Sequence, residues 1–105
     1  MCFHYALTKQ KAEIEIQLGV TWDDDWQPIY HADGFTFLKM PVITQKQPDK
    51  VQVFNWGLIP HWVKTKADAD KLKTQTLNAR SETVFEKPAF RSYIPNNRCL
   101  IIADG

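Results

Sequence analysis

Residues 51–56 (VQVFNW) constrain the fold of this 105-residue chain more than any other segment, because apolar and polar side chains largely alternate along them. This period of two is typical of a half-buried β-strand. Turns are predicted on both sides of a second extended segment: residues 32–34 before it and residues 45–50 after it. That extended segment, residues 35–44, is predicted to break at Pro41. The centre of the chain therefore predicts short strands joined by turns.

The first regular element is ambiguous between strand and helix. Residues 12–18 alternate like a strand, yet Thr8 is a suitable N-cap and Gly19 stands where a helix commonly ends. The Lys, Ala, Glu and Gln content favours the helix, which we predict over residues 9–18. The acidic residues 23–25 then form a solvated connector.

Strands and helices do not alternate along the chain at the spacing of βαβ units. Residues 57–62 are predicted to be irregular, and residues 66–73 to be a helical turn or a flexible loop. A short helix over residues 82–85 would stop before Pro88, and residues 98–103 are predicted to be a buried strand. With no repeat or linker, residues 1–105 are predicted to form one structural unit of the α+β class around a mostly antiparallel sheet.

Composition excludes several classes of protein. Apolar residues make up 44% of the chain, charged residues 24% and aromatic residues 12%, as in ordinary globular proteins. No apolar run reaches membrane-spanning length, and Lys9 and Lys11 follow too early for a signal peptide. Two cysteines are too few for a disulfide scaffold, so we predict a cytoplasmic protein with reduced thiols and no membrane partner.

Charge is distributed unevenly along the sequence. Residues 1–60 carry five Lys or Arg against seven Asp or Glu (−2), and residues 61–105 carry eight against five (+3). In the second part, basic residues alternate with Trp62, Phe85, Phe90 and Tyr93. Such a pattern suits a surface that binds phosphates and stacks on bases, although a solvated face has the same composition.

Cys2 is the candidate nucleophile. If Met1 is removed, Cys2 becomes an N-terminal 1,2-aminothiol, whose amine forms a Schiff base with an aldehyde and whose thiol then closes a thiazolidine ring. An incidental residue at a frayed terminus remains the simpler interpretation of the same position. Cys99, which precedes an apolar run, is predicted to be a buried and inert core cysteine.

Three further groups are candidates for chemistry. Asn78 both donates and accepts hydrogen bonds, and Arg80 offers a planar fork suited to phosphate, although a helix cap with a solvated arginine fits the same segment. His61 lies in an irregular loop, where it either transfers protons or simply packs. The spacing of Cys and His residues does not match a zinc site, so no metal and no cofactor are predicted.

Five motifs occur in order along the whole chain: MC at residues 1–2, WGLIPHW at 56–62, NARSET at 78–83, EKPAFR at 86–91 and RCLIIADG at 98–105. Together they resemble the SOS-response-associated peptidase (SRAP) family, whose members crosslink to abasic sites in single-stranded DNA. The resemblance implies a barrel-like sheet and places the protein at the nucleoid or in the nucleus when it acts on DNA.

The resemblance also implies roles for individual residues. Met1 would be removed by the protein itself, and Cys2 would form the thiazolidine crosslink with the ring-opened abasic sugar. Asn78 would position that sugar. The DNA-binding residues implied are Trp62, Arg80, Arg91 and Arg98.

The chain departs from the family pattern at three places. Phe3-His4 stands where the family commonly has Gly-Arg, and Ile102 stands where it has Pro. The family's catalytic Glu and His follow the Ala-Asp-Gly motif and are not among these 105 residues, so the sequence resembles the N-terminal half of a larger domain, with a sheet edge that is free to self-associate. Weak or absent crosslinking is therefore expected of this chain by itself. The alternative functions are a non-covalent single-strand-binding module and a thiol peptidase.

Overall fold

The computed structural model of the protein describes residues 2–105, and these form two helices and five strands in two antiparallel sheets. The predicted α+β class is confirmed, and neither sheet closes into a barrel within the described residues. The elements are β1 (His4–Leu7), α1 (Lys11–Leu18), β2 (Ile29–Asp33), β3 (Lys39–Thr44), β4 (Val51–Asn55), α2 (Lys66–Lys73) and β5 (Cys99–Ile101), with a 3₁₀ turn at Gly34–Thr36.

The first sheet pairs β1 with β2, and the second has the order β4-β3-β5. Pro41 in β3 lies opposite Val53 in β4, whereas the pairing with β5 begins only at Val42. The proline therefore occupies a part of the central strand that has one partner strand, where a missing backbone N–H is tolerated. The predicted break at Pro41 is wrong because β3 continues through it.

The hydrophobic core gathers residues from both ends of the chain. Its buried cluster comprises Leu7, Ile14, Val20, Trp22, Ile43 and Val51. Ile102 packs against this cluster, so the segment before the C-terminal Gly105 closes onto the first strand and helix. The strand predicted at residues 51–56 is confirmed as β4, whose first residue is only 1% exposed.

The helix predicted over residues 9–18 is confirmed as α1, and Gly19 ends it in the left-handed conformation (φ 64°). The predicted N-cap is wrong, because Gln10 occupies the cap position and makes no side-chain cap bond. The backbone nitrogens of Thr8 and Lys9 instead donate to the carboxylate of Asp104, each at 2.9 Å. Asp104 thus fixes the segment just before α1, and the helix itself has no side-chain cap.

Two other local predictions need correction, and a third is confirmed. The turn expected at residues 32–34 starts two residues later, because β2 runs through Asp33, whose side chain accepts from the nitrogen of Phe35. Residues 82–85 form successive turns rather than a helix, and the nitrogens of Thr83 and Glu86 donate to carbonyl oxygens three residues back. The helical alternative predicted for residues 66–73 is confirmed as α2, which the hydroxyl of Thr65 caps by accepting from the nitrogen of Asp68.

The C-terminal strand is present but exposed. The segment predicted as a buried strand forms β5, in which Leu100 is 67% exposed and Ile101 57% exposed. Cys99 is an exposed free cysteine rather than a core residue, although partial burial of its thiol raises the pKa. These residues are exposed because β5 pairs with β3 alone among the described strands. No described helix is both long enough and apolar enough to cross a bilayer.

Candidate active site around Cys2

The side chain of Asn78 holds the backbone of Cys2 by two hydrogen bonds. Its Oδ1 accepts from the nitrogen of Cys2 at 3.1 Å, and its Nδ2 donates to the carbonyl oxygen of Cys2 at 2.8 Å. Cys2 itself is exposed, and Asn78 is half-buried. The amide therefore fixes the position of the backbone nitrogen while the residue stays open to solvent. The structure brings together the two residues assigned to catalysis.

Asn78 is held in place because the two residues before it are buried and anchored. The indole Nε1 of Trp56 donates to the carbonyl oxygen of Leu77 at 2.8 Å, and the hydroxyl of Thr76 donates to the carbonyl oxygen of Leu58 at 2.6 Å. Buried polar groups need such partners, and a paired group resists displacement. Residues 76–78 are therefore fixed against the segment that follows β4.

The other side of Cys2 is fixed through Phe3. The carbonyl oxygen of Phe3 accepts from the nitrogen of Gly34 at 2.7 Å, and its ring stacks on Phe35 at a centroid distance of 5.2 Å. A Cβ at position 34 would lie 3.2 Å from the ring of Trp56 and 3.3 Å from the oxygen of Phe3. Glycine is thus required for this close approach. Tyr5 also meets the Trp56 ring edge-on, and burial raises the pKa of Tyr5 to about 12.

A shallow groove of about 290 Å³ begins at Asn78. Arg80 and Lys87 line it and supply positive charge, while Phe90 and Leu72 supply apolar surface. Arg80 lies 3.8 Å from the carboxylate of Glu82, an exposed contact that contributes little free energy. The guanidinium is therefore available for another anion. We call this depression the Asn78 groove.

A second groove, of about 360 Å³, adjoins the first. It is lined by Trp62, whose side chain is 51% exposed, and by the basic residues Lys64 and Lys71. Leu72 and Gln75 line both depressions, so this second depression, the Trp62 groove, lies directly beside the Asn78 groove. An exposed indole next to lysines is the arrangement that stacks a base and binds the adjoining phosphates.

The other residues assigned to DNA binding lie outside these grooves. Arg91 is exposed but lines neither of them. The Nε of Arg98 donates to the carbonyl oxygen of Ile94 at 3.0 Å, and the residue lines a separate depression beside β5. Of the four residues, the structure brings Trp62 and Arg80 onto the surface that leads to Cys2.

Sequence reasoning missed several residues of the site. Lys64, Lys71 and Lys87 belong to the basic second part of the chain, but charge alone does not tell a groove from a solvated face. Outside these grooves, the ring nitrogens of His4 in β1 and His31 in β2 lie 2.9 Å apart. Residues 2–105 contain no cluster of three or more His, Cys, Asp or Glu side chains arranged to hold a metal ion.

The α+β fold holds the exposed Cys2 in place through Asn78, and Asn78 lines a groove with basic and aromatic residues. These features define a surface site built around a cysteine. The chain belongs to the SOS response associated peptidase (SRAP) family, whose model matches residues 1–105. The resemblance seen in the five motifs is thereby confirmed.

Individual relatives agree with this assignment. The chain is 35% identical over 81 residues to the abasic site processing protein YoaM of Bacillus subtilis, covering 77% of this chain and 34% of YoaM. It is 29% identical over 108 residues to YoqW of the same species, covering 100% of this chain and 46% of YoqW. The fold also matches the crystal structure of a protein from Bacteroides thetaiotaomicron, with a TM-score of 0.86 and 40% sequence identity. The match covers 95% of this chain and 45% of the Bacteroides protein chain. The chain thus spans less than half the length of these relatives.

Proposed function

We propose that this chain carries the nucleophile, its positioning group and part of the DNA-binding surface of a protein that crosslinks to abasic sites in single-stranded DNA. The observation that carries the proposal is the pair of hydrogen bonds from Asn78 to the backbone of Cys2. The names of the relatives YoaM and YoqW, both abasic site processing proteins, support the choice of substrate.

The proposed reaction is a condensation of Cys2 with an aldehyde. Met1, which lies outside the described residues, is first removed by hydrolysis of its peptide bond, which frees the α-amine of Cys2. The amine adds to C1′ of the ring-opened abasic sugar and expels water to give a Schiff base. The thiol then adds to the same carbon, its proton passes to the nitrogen, and a thiazolidine ring closes. The net change is the loss of one water molecule from protein and DNA.

Asn78 suits this chemistry because it holds the atom that reacts first. Its Oδ1 accepts from the nitrogen that becomes the α-amine, and its Nδ2 fixes the neighbouring carbonyl group. The amine donates a hydrogen in this bond, so its lone pair stays free to attack the aldehyde. Holding a nucleophile in a near-attack position replaces a random encounter with an oriented one.

The two neighbouring grooves suit a single strand that leads to Cys2. Trp62 offers a face for a base, and Arg80 and Lys87 offer positive charge for phosphates. An abasic nucleotide lacks its base and so leaves room for the sugar to approach the cysteine. The strand would run from the Trp62 groove over Leu72 and Gln75 to the Asn78 groove.

Crosslinking to a single-stranded oligonucleotide with one abasic site tests the proposal. We expect a weak band that is stable on a denaturing gel, because the family's catalytic Glu and His are not among these residues. Its mass should equal that of the protein without Met1 plus the DNA minus one water. Cys2→Ala should abolish the band. Cys2→Ser keeps the amine but not the thiol, so borohydride should trap its Schiff base although the thiazolidine cannot form.

Cys99→Ser is the matched control, because Cys99 is the second exposed cysteine of the chain. It should crosslink like the unchanged protein. A band that survives Cys2→Ala, or one that depends on Cys99, would overturn the assignment of Cys2.

Non-covalent binding of undamaged single strands is the second candidate function, and the position of the two basic grooves side by side favours it. The affinity for single strands should fall as the salt concentration rises. Arg80→Ala and Lys87→Ala should each make the plot of log K against log salt less steep by about one unit, as expected for the loss of one phosphate contact. Lys46→Ala, in the turn after β3, is the charge-matched control. Binding without any covalent product would favour this function over the first.

A further inference from the structure

Tyr93 holds His61, the residue that directly precedes Trp62, by two contacts. The backbone nitrogen of His61 donates to the Tyr93 hydroxyl at 2.9 Å, and the ring Nδ1 of His61 lies 2.9 Å from the same oxygen. The two rings meet edge-on, with centroids 6.1 Å apart. Tyr93 is half-buried and His61 is exposed, so the tyrosine anchors a side chain that faces solvent.

These contacts favour one tautomer of the neutral imidazole. A backbone N–H can only donate, so the Tyr93 oxygen is its acceptor. The hydroxyl still has its own proton to donate, and Nδ1 of His61 is the atom within reach. A neutral imidazole that accepts at Nδ1 carries its proton on Nε2. The ring therefore presents an N–H donor on the side turned away from Tyr93.

The anchored imidazole stands next to the residue that stacks a base in the proposed function. Trp62 follows His61 directly, and the buried Pro60 precedes it, with the nitrogen of Val63 bonded to the carbonyl oxygen of Pro60 at 3.1 Å. The segment is thus fixed on both sides of His61. A strand whose base stacks on Trp62 would pass its phosphates along this fixed segment.

We propose that His61 binds a phosphate of the single strand through Nε2, and that Tyr93 is the positioning residue that sets its tautomer and orientation. The proposal rests on the proposed function, because it takes the strand to lie on Trp62. The residue type of His61 does not by itself predict this phosphate contact, because an exposed histidine in a loop can point in many directions. The contact between Nδ1 and the Tyr93 hydroxyl fixes the direction of the ring.

Binding of an undamaged single-stranded oligonucleotide to the Cys2→Ala protein tests the phosphate contact without any crosslinking. His61→Gln keeps a nitrogen donor near the position of Nε2, whereas His61→Asn keeps only a group near Nδ1. We expect His61→Asn and His61→Ala to weaken binding about tenfold, as for the loss of a hydrogen bond to a charged group, and His61→Gln to restore most of the affinity. His31→Ala, in β2, is the matched control and should bind normally.

The tautomer provides a readout that does not depend on DNA. Nitrogen chemical shifts of the neutral ring should show the Nε2–H form in the unchanged protein and a mixture of both forms in Tyr93→Phe. Tyr93→Phe should also lose affinity, with the same cooperative thermal unfolding as the unchanged protein.

The possible failures are distinguishable. If the Cys2→Ala protein binds no single strand, the proposed interface and this contact both fail. If it binds but His61→Ala binds equally well, or His61→Asn equals His61→Gln, only the phosphate contact is overturned. A dominant Nδ1–H form in the unchanged protein would overturn the role of Tyr93.

Discussion

The amide of Asn78 bonds to both the nitrogen and the carbonyl oxygen of Cys2, a residue 76 positions away along the chain. Both bonds end on backbone atoms, so the side chain of Cys2 takes no part in its own anchoring. A nucleophile held in this way keeps its thiol free while the position of its nitrogen is fixed.

Removing the Asn78 amide should slow the reaction of Cys2 without removing the nucleophile. Asn78→Ala deletes both hydrogen bonds, each worth about 1 kcal/mol, so we expect crosslinking to slow by about tenfold to thirtyfold. Single-turnover rates of crosslinking to an abasic oligonucleotide measure the effect. Asn96→Ala, a change at an exposed asparagine, should react at the unchanged rate. Equal rates for the two variants would show that Asn78 does not position Cys2.

Trp56 and Trp62 should have separable effects, although both belong to the motif of residues 56–62. Trp56→Phe leaves the buried carbonyl of Leu77 without its donor, which should lower the free energy of unfolding by about 1–3 kcal/mol. Trp62→Phe, at an exposed position, should leave unfolding unchanged and weaken binding of single strands. Urea unfolding and oligonucleotide titration of both variants test this. The same loss of stability in both would contradict the assignment.

Local patterns predicted the local structure and failed where contacts come from far along the chain. The strand β4 and the helix α1 follow from periodicity and from Gly19, which act within a few residues. The residues around Thr8 predicted it as an N-cap, but the helix begins later and the backbone nitrogen of Thr8 donates to the distant Asp104 instead. No local signal joins residues so far apart.

Burial at the end of the chain was mispredicted for a related reason. An apolar run such as residues 100–102 is typical of a buried strand, yet burial depends on what covers the strand. β5 pairs with β3 alone, so Leu100 and Ile101 are exposed.

At the site, the resemblance singled out Cys2 and Asn78 together. The contact between His61 and Tyr93 appeared only in the structure, because nothing in the sequence relates residues 32 positions apart.

Asp104 should make stability depend on pH in the acid range. Hydrogen bonds from the backbone of Thr8 first, then from the backbone of Lys9 and the Thr8 hydroxyl, hold the pKa of this carboxyl below its usual value. The contribution is therefore fully present above the unfolded pKa of about 3.9 and is lost as the pH falls through the lower folded pKa. Asp104→Asn should melt below the unchanged protein at neutral pH.

The difference in melting temperature should shrink to nothing once the carboxyl is protonated in both states. Thermal unfolding followed from neutral pH to about pH 2 measures it. Asp25→Asn, in the acidic connector, is the charge-matched control. If the Asp104→Asn difference persists undiminished at the lowest pH, the carboxylate is not its source.

The exposed edge of β5 should bring copies of the 105-residue chain together. β5 bonds to β3 on one side, and its apolar side chains Leu100 and Ile101 flank an edge with no partner strand in residues 2–105. Such an edge is a template for a further strand, and a charge on it is an effective way to block pairing. Sedimentation velocity should therefore show association that grows with concentration, and Leu100→Lys should reduce it. Ile16→Lys places the same charge at an apolar side chain that is 85% exposed on α1, away from the edge, and should leave association unchanged. If both lysine substitutions reduce association equally, non-specific hydrophobic contacts rather than strand pairing drive it. A chain that stays monomeric at every concentration would contradict the prediction.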